Sequence, residues 1–159
     1  VERLITDKTK AILVVHYTGL IADMLRLKAL AKKHGLYIIE DAAQAFGATQ
    51  AGKKAGSFGD IACFSMNPMK VFAACGEAGM VLTDDEDVYL KLQSLRYNGT
   101  INREECVQVS LNYRIDTIQA AILLARLKTF DQLITQRRAN ANFYFQQFLS
   151  RFFRVLIFQ

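Results

Sequence analysis

The sequence predicts an α/β fold with a mostly parallel sheet flanked by helices, and three features carry that prediction. Short apolar runs of strand length recur between breaks rich in Gly, Asp and Asn. A segment of helical periodicity separates the first two runs. Polar side chains with chemical potential gather just beyond the carboxyl ends of the runs.

Taken in order, Lys10 to Val15 reads as the first strand. Asp23 to His34 reads as a helix with Met24, Leu27, Leu30 and Ala31 on its apolar face, and Gly35 is its C′ stop. Leu36 to Ile39 is the next strand, ending in Glu40-Asp41-Ala42-Ala43-Gln44. This is one βαβ unit, so its two strands are expected to be parallel with a right-handed crossover. Ile61-Ala62-Cys63-Phe64, bounded by Gly59-Asp60 and Asn67-Pro68, reads as a buried strand ending at Ser65. Gly79 to Thr83 is a further strand, and Asp84 or Asp85 caps a helix through about Arg96. A loop is expected from Asn98-Gly99 to about Leu111. Two long helical patterns follow, near Asp116 to Leu127 and Phe130 to Leu149, and leave the sheet.

Composition serves mainly to exclude. With 159 residues, 52% hydrophobic and 22% charged, the chain is globular and long enough for a core. No apolar run has the length of a membrane span and no basic-then-apolar leader opens the sequence, so neither membrane insertion nor secretion is expected and the reading is cytoplasmic. Cys63, Cys75 and Cys106 lack CxxC or Cys/His ligand spacing, which argues against a disulfide framework or a metal site. The net charge of +5 is spread over pairs such as Lys32-Lys33, Lys53-Lys54 and Arg137-Arg138, so no nucleic-acid surface is expected.

The most informative stretch runs from Ser57 to Thr83. It sets Lys70 in a loop between two strands, five residues after Ser65. Ligands of open α/β sheets bind outside the carboxyl ends of the strands, and a Ser and a Lys there suit an anionic, carbonyl-bearing cofactor; pyridoxal phosphate fits both groups. Asp41, at the end of its own strand, is placed to keep a pyridine nitrogen protonated, and Gln44 to reach the same ring. Plainer roles exist for each residue. Asp41 suits the cap of a helix starting at Ala42, Ser65 a strand-end hydrogen bond, and Asp116 with Gln119 a helix-capping pair. His16 lies at a strand end and is a weak site candidate. Pro68, the only proline, fixes φ beside Lys70.

These residues also carry a resemblance. The motifs VVHYTG, IEDAAQAFGA, GSFGDIACFS, NPMK, GEAGMVLTDD, LRYNGT and LNYRIDTIQAAIL occur in the order found in the DegT/DnrJ/EryC1/StrS group of pyridoxal-phosphate-dependent nucleotide-sugar aminotransferases, which the chain resembles over roughly residues 3 to 145. The resemblance implies the fold type I architecture, with residues 1–115 as part of the cofactor-binding large domain and 116–159 as long helices leading into a small domain. It implies Lys70 as the Schiff-base lysine, Asp41 as partner of the pyridine nitrogen, Gln44 as a ring contact and Ser65 as a phosphate ligand. It further implies that Asn112, in Leu111-Asn112-Tyr113-Arg114, approaches the phosphate from a neighbouring subunit of a homodimer. Relatives with histidine in place of the lysine dehydrate sugars, so Lys70 favours transfer of an amino group, with glutamate as expected donor, to a nucleotide-linked keto sugar. Family members extend further at both ends, so the chain reads as a central fragment, and a remnant without activity is the rival expectation.

Overall fold

The computed structural model of the protein describes residues 1–149; the apolar tail Phe152 to Phe158 lies outside them. Strand β1 (Ala11–Val15) leads through a short turn to helix α1 (Met24–His34). The helix begins where Asp23 accepts a hydrogen bond from the Arg26 amide and stops at Gly35, whose φ of 64° lets the chain turn back as the local sequence predicts. Strand β2 (Tyr37–Asp41) pairs parallel with β1, Ala11 opposite Tyr37 and Val15 opposite Asp41. A two-residue hairpin, β3 (Thr49–Gln50) and β4 (Lys53–Lys54), precedes strand β5 (Ile61–Ser65).

Strand β5 pairs parallel with β2, and β6 (Gly79–Thr83) returns antiparallel to it, giving the sheet order β1-β2-β5-β6. The sheet is therefore mostly parallel with one antiparallel edge. Helix α2 (Glu86–Arg96) follows, capped by Asp85 on the Val88 amide. The stretch expected as a plain loop from Asn98 to Leu111 contains a small hairpin instead, β7 (Thr100–Ile101) and β8 (Glu105–Cys106). Its turn is made by Asn102 and Arg103 at φ of 51° and 65°, a conformation usually signalled by glycine and invisible in this sequence. Helices α3 (Thr117–Leu127) and α4 (Phe130–Leu149) complete the described chain.

Strand alternation divides the sheet into two faces. Val14, Ile38, Ala62 and Phe64 bury one face in a core with Met24 and Ala31 of α1. The opposite face carries the exposed side chains of Leu13, Val15, Tyr37 and Val81. A second core, made by Met66, Phe72, Ala74, Leu123 and Phe130, lies under the segment joining β5 to β6 and packs it against α3 and α4. Phe46 joins the two cores: its ring stacks on Phe72 at 4.3 Å between centroids and meets Phe64 and Phe130 edge-on. Such pairs contribute beyond their buried area, so this cluster ties the end of β2, the β5–β6 loop and α4 into one unit.

Candidate active site

Strands β1, β2 and β5 end on the same edge at which antiparallel β6 begins. In register, Val15, Asp41 and Cys63 form one row, and Ser65 faces Gly79. An open cleft of about 580 Å³ lies at this edge, lined by Thr18, Gln44, Ser65, Asn67, Met69, Lys70, Val71 and Glu77.

Three residues singled out from the sequence, Gln44, Ser65 and Lys70, thus meet in one cleft. Lys70 ends a turn in which its amide donates to the Asn67 carbonyl at 2.9 Å, while Asn67 Oδ1 accepts from the Met69 amide at 3.0 Å. Its ammonium group has no hydrogen-bond or ion-pair partner among the described residues. Gln44 Oε1 accepts from the Thr18 amide at 2.8 Å, which leaves the Gln44 NH₂ group with no acceptor among the described residues. Ser65 Oγ accepts from the Asn67 amide at 3.4 Å and keeps its own proton to donate. Thr18 holds φ at 55°, an unusual conformation for a β-branched residue, and this strained position sits on the cleft wall.

Asp41 stands one strand over, outside the cleft wall. No helix starts at Ala42; instead Asp41 Oδ1 accepts from the Ala43 amide at 3.1 Å in a local turn, and its other oxygen accepts nothing among the described residues. The carboxylate is close enough to Cys63 to be felt there: burial pushes the Cys63 thiol up, and the Asp41 charge adds to that shift. Asn112 is exposed and does not line the cleft. It pairs as a bridge with Tyr97, and its Oδ1 accepts from Arg114 Nε at 2.9 Å.

His16, the weak site candidate, takes instead the plainer part of an ordinary hydrogen-bonded residue: it is fully buried, 2.9 Å from the equally buried Glu40. The Ala22 amide donates to His16 Nδ1, so Nε2 carries the proton and donates to Glu40 Oε2. Asp116 begins α3 without a side-chain cap, and Gln119 turns away from it to accept a hydrogen bond from the Cys75 amide at 2.9 Å.

The group that sequence reasoning missed altogether is Glu40. Its Oε1 accepts from the amides of Phe58 and Gly59, and its Oε2 from His16 and the Gly56 amide. Burial alone would raise this carboxyl, yet the hydrogen bonds from His16 and from the Gly59, Gly56 and Phe58 amides outweigh it and bring it down to about 2. Glu40 therefore gathers the end of β1 and the 56–59 loop around the end of β2, directly behind Asp41.

A mostly parallel sheet whose carboxyl end gathers a lysine amine, a hydroxyl and an amide in one open cleft defines an α/β protein with a lysine-bearing cleft. Its kinship is specific. The sequence profile of the DegT/DnrJ/EryC1/StrS aminotransferase family matches residues 1–155, and the chain belongs to that family. Over 144 residues it is 45% identical to the UDP-N-acetyl-3-dehydro-alpha-D-glucosamine 3-aminotransferase of Acidithiobacillus ferrooxidans, an alignment covering 91% of this chain and 39% of that protein. Helicobacter pylori PseC, an aminotransferase involved in the biosynthesis of pseudoaminic acid, superposes with a TM-score of 0.85 at 31% identity, over 90% of this chain and 39% of PseC. Bacillus subtilis NtdA, solved with bound cofactor PMP, superposes with a TM-score of 0.74 at 36% identity, over 82% of this chain and 30% of NtdA. The fold is that of the fold type I enzymes. The chain spans about 39% of the length of the Acidithiobacillus relative.

Proposed function

We propose that this chain forms the cofactor-binding part of a pyridoxal-phosphate-dependent aminotransferase that moves an amino group from an amino acid, glutamate, to the keto group of a nucleotide-linked sugar. The observation that carries the reading is the set of groups left without partners among the described residues at one sheet edge: the Lys70 amine, the Ser65 hydroxyl proton, the Gln44 amide and one oxygen of Asp41. This set fits the cofactor group for group. An amine suits its aldehyde, a hydroxyl donor its phosphate, an amide its ring, and a carboxylate its pyridine nitrogen.

When bound, pyridoxal phosphate supplies an electron sink for the carbanion that forms when the donor's Cα loses its proton. The rest falls to side chains. Lys70 would hold the cofactor covalently, and its amine, when free, would take the donor's Cα proton and return it. Asp41 would keep the pyridine nitrogen protonated, because its negative charge favours the cationic ring. Ser65 would donate to the phosphate, and Gln44, whose Oε1 is held by the Thr18 amide, would offer its NH₂ group to the ring. Asn112, exposed and outside the cleft, is assigned to the phosphate of a second copy in a homodimer. Residues 116–159 are read as the start of a small domain. No described helix is long and apolar enough to cross a membrane. The enzyme is read as cytoplasmic, making amino sugars for surface polysaccharides or glycoconjugates.

The test is the absorbance spectrum of the purified chain with pyridoxal phosphate, before and after borohydride, beside Lys70→Ala. A reducible band that is lost in the variant is expected. A folded parent chain that gives no lysine-dependent band overturns the proposal for this chain and leaves it a non-catalytic module.

A further inference from the structure

Lys70 is held by more than its own turn. The loop that carries it is closed at its base by the Met66 amide on the Ala78 carbonyl and the Ala74 amide on the Met66 carbonyl, both at 2.8 Å. Its far limb, Phe72 to Cys75, is gripped by a single face of α3. Gln119 Oε1 accepts from the Cys75 amide, Arg126 donates from its guanidinium to the Ala73 carbonyl, and Leu123 lies between them in the core with Phe72 and Ala74. Positions 119, 123 and 126 follow the helical repeat, so one stripe of α3 makes all three contacts. Gly76 lets the helix come this close: a Cβ there would stand 2.9 Å from Gln119 Nε2.

None of these contacts belongs to the cleft wall, yet all of them fix the backbone that returns from Lys70 to β6. We infer that Gln119 and Arg126 are positioning residues for Lys70: α3 is the seat against which the lysine loop is set, and it aims the amine at a carbonyl already held in the cleft. The inference rests on the functional reading above and adds the means by which the lysine is aimed. A fixed amine gains over a free one only when its partner is also fixed, because the advantage is orientational.

The test compares the parent chain with Gln119→Leu, which keeps bulk but offers the Cys75 amide no acceptor, and Gln119→Glu, which restores an acceptor oxygen. Arg126→Met, which keeps bulk but removes the donor to the Ala73 carbonyl, serves as a second variant should the Leu variant not fold. Two aldehydes, pyridoxal phosphate and formaldehyde, are trapped on Lys70 with cyanoborohydride and quantified by peptide mass spectrometry, and amide exchange is followed by NMR.

In Gln119→Leu, exchange at Cys75 is expected to accelerate about fivefold and pyridoxal phosphate labelling of Lys70 to fall about fivefold, the scale of one lost hydrogen bond. Formaldehyde, which needs only an exposed amine, labels Lys70 within about twofold of the parent, since no orientational term is at stake. Gln119→Glu restores the first two quantities, and Arg126→Met by itself lowers pyridoxal phosphate labelling of Lys70 below the parent's while leaving formaldehyde labelling within about twofold of it. Equal loss with both aldehydes, pyridoxal phosphate labelling unchanged despite faster exchange, or no rescue by Glu overturns the inference. A parent chain that pyridoxal phosphate does not label refutes the functional reading instead; the seat is then decided by exchange alone, and unchanged exchange at Cys75 overturns it.

Discussion

Replacing Glu40 by Gln should be among the most damaging isosteric changes available in this chain. Each carboxylate oxygen accepts two hydrogen bonds, from His16 and Gly56 on one side and from Phe58 and Gly59 on the other. An amide NH₂ on either side faces two donors with a third, so two bonds to a charged acceptor are lost whichever way the side chain turns. At about 1.5–3 kcal/mol each, the cost is about 3–6 kcal/mol, a large share of a small domain's stability. Acid provides an independent measure of the same group. Its carboxyl lies at about 2 in the folded chain against an ordinary 4.5, so it stabilises the fold fully above pH 4.5 and loses that contribution as pH falls toward 2. The amount is about 3 kcal/mol, at 1.36 kcal/mol for each tenfold change in proton affinity. Urea unfolding followed by circular dichroism from pH 7 to pH 2.5 reads both effects. Down to pH 2.5, just above the folded-state value, the parent should lose about 2.5 kcal/mol more than Glu40→Gln, the other carboxylates cancelling between the two chains. A variant as stable as the parent at pH 7, or two parallel acid limbs, would refute the reasoning.

Asp41→Asn should shift the pH profile of Cys63 alkylation toward lower pH, because the Asp41 charge opposes thiolate formation; an unmoved profile would mean that the two groups do not interact. Gly47→Ala should destabilise the chain by about 2–4 kcal/mol in thermal or urea unfolding, since a left-handed backbone is combined with overpacking. Gly47 holds φ at 83°, and an added Cβ would stand 2.8 Å from the Phe130 ring. A neutral result would show that Phe130 moves aside freely.

The elements that sequence reasoning located are those whose signals are local. Asp23 and Gly35 bracket α1 within its own residues, and Gly59-Asp60 and Asn67-Pro68 mark the limits of β5. Lys70, Ser65 and Gln44 were legible as a group because each follows closely after a strand, and strands of one parallel sheet end on one edge. What escaped notice depends on partners remote in sequence. Glu40 looks like any polar residue at a strand end until His16 and the 56–59 loop arrive around it. Gln119 matches a capping pattern three residues after Asp116, and only the folded chain brings the Cys75 amide within its reach. The two small hairpins were overlooked for a different reason. Asn102 and Arg103, like Ala51, adopt left-handed φ without being glycine, and residue identity carries little information about such turns.

The antiparallel pairing of Ser65 with Gly79 makes the lysine loop a ring closed on itself. Chain can be added to or removed from the Asn67–Met69 tip without sliding β5 or β6, because the register is fixed at the ring's neck and not by the loop's length. The segment from Ile61 to Thr83 is thus a cassette: it carries its lysine, its Ser65 hydroxyl and its own neck. Another loop set on the same two strands would leave the order of the sheet unchanged while altering what the amine can reach.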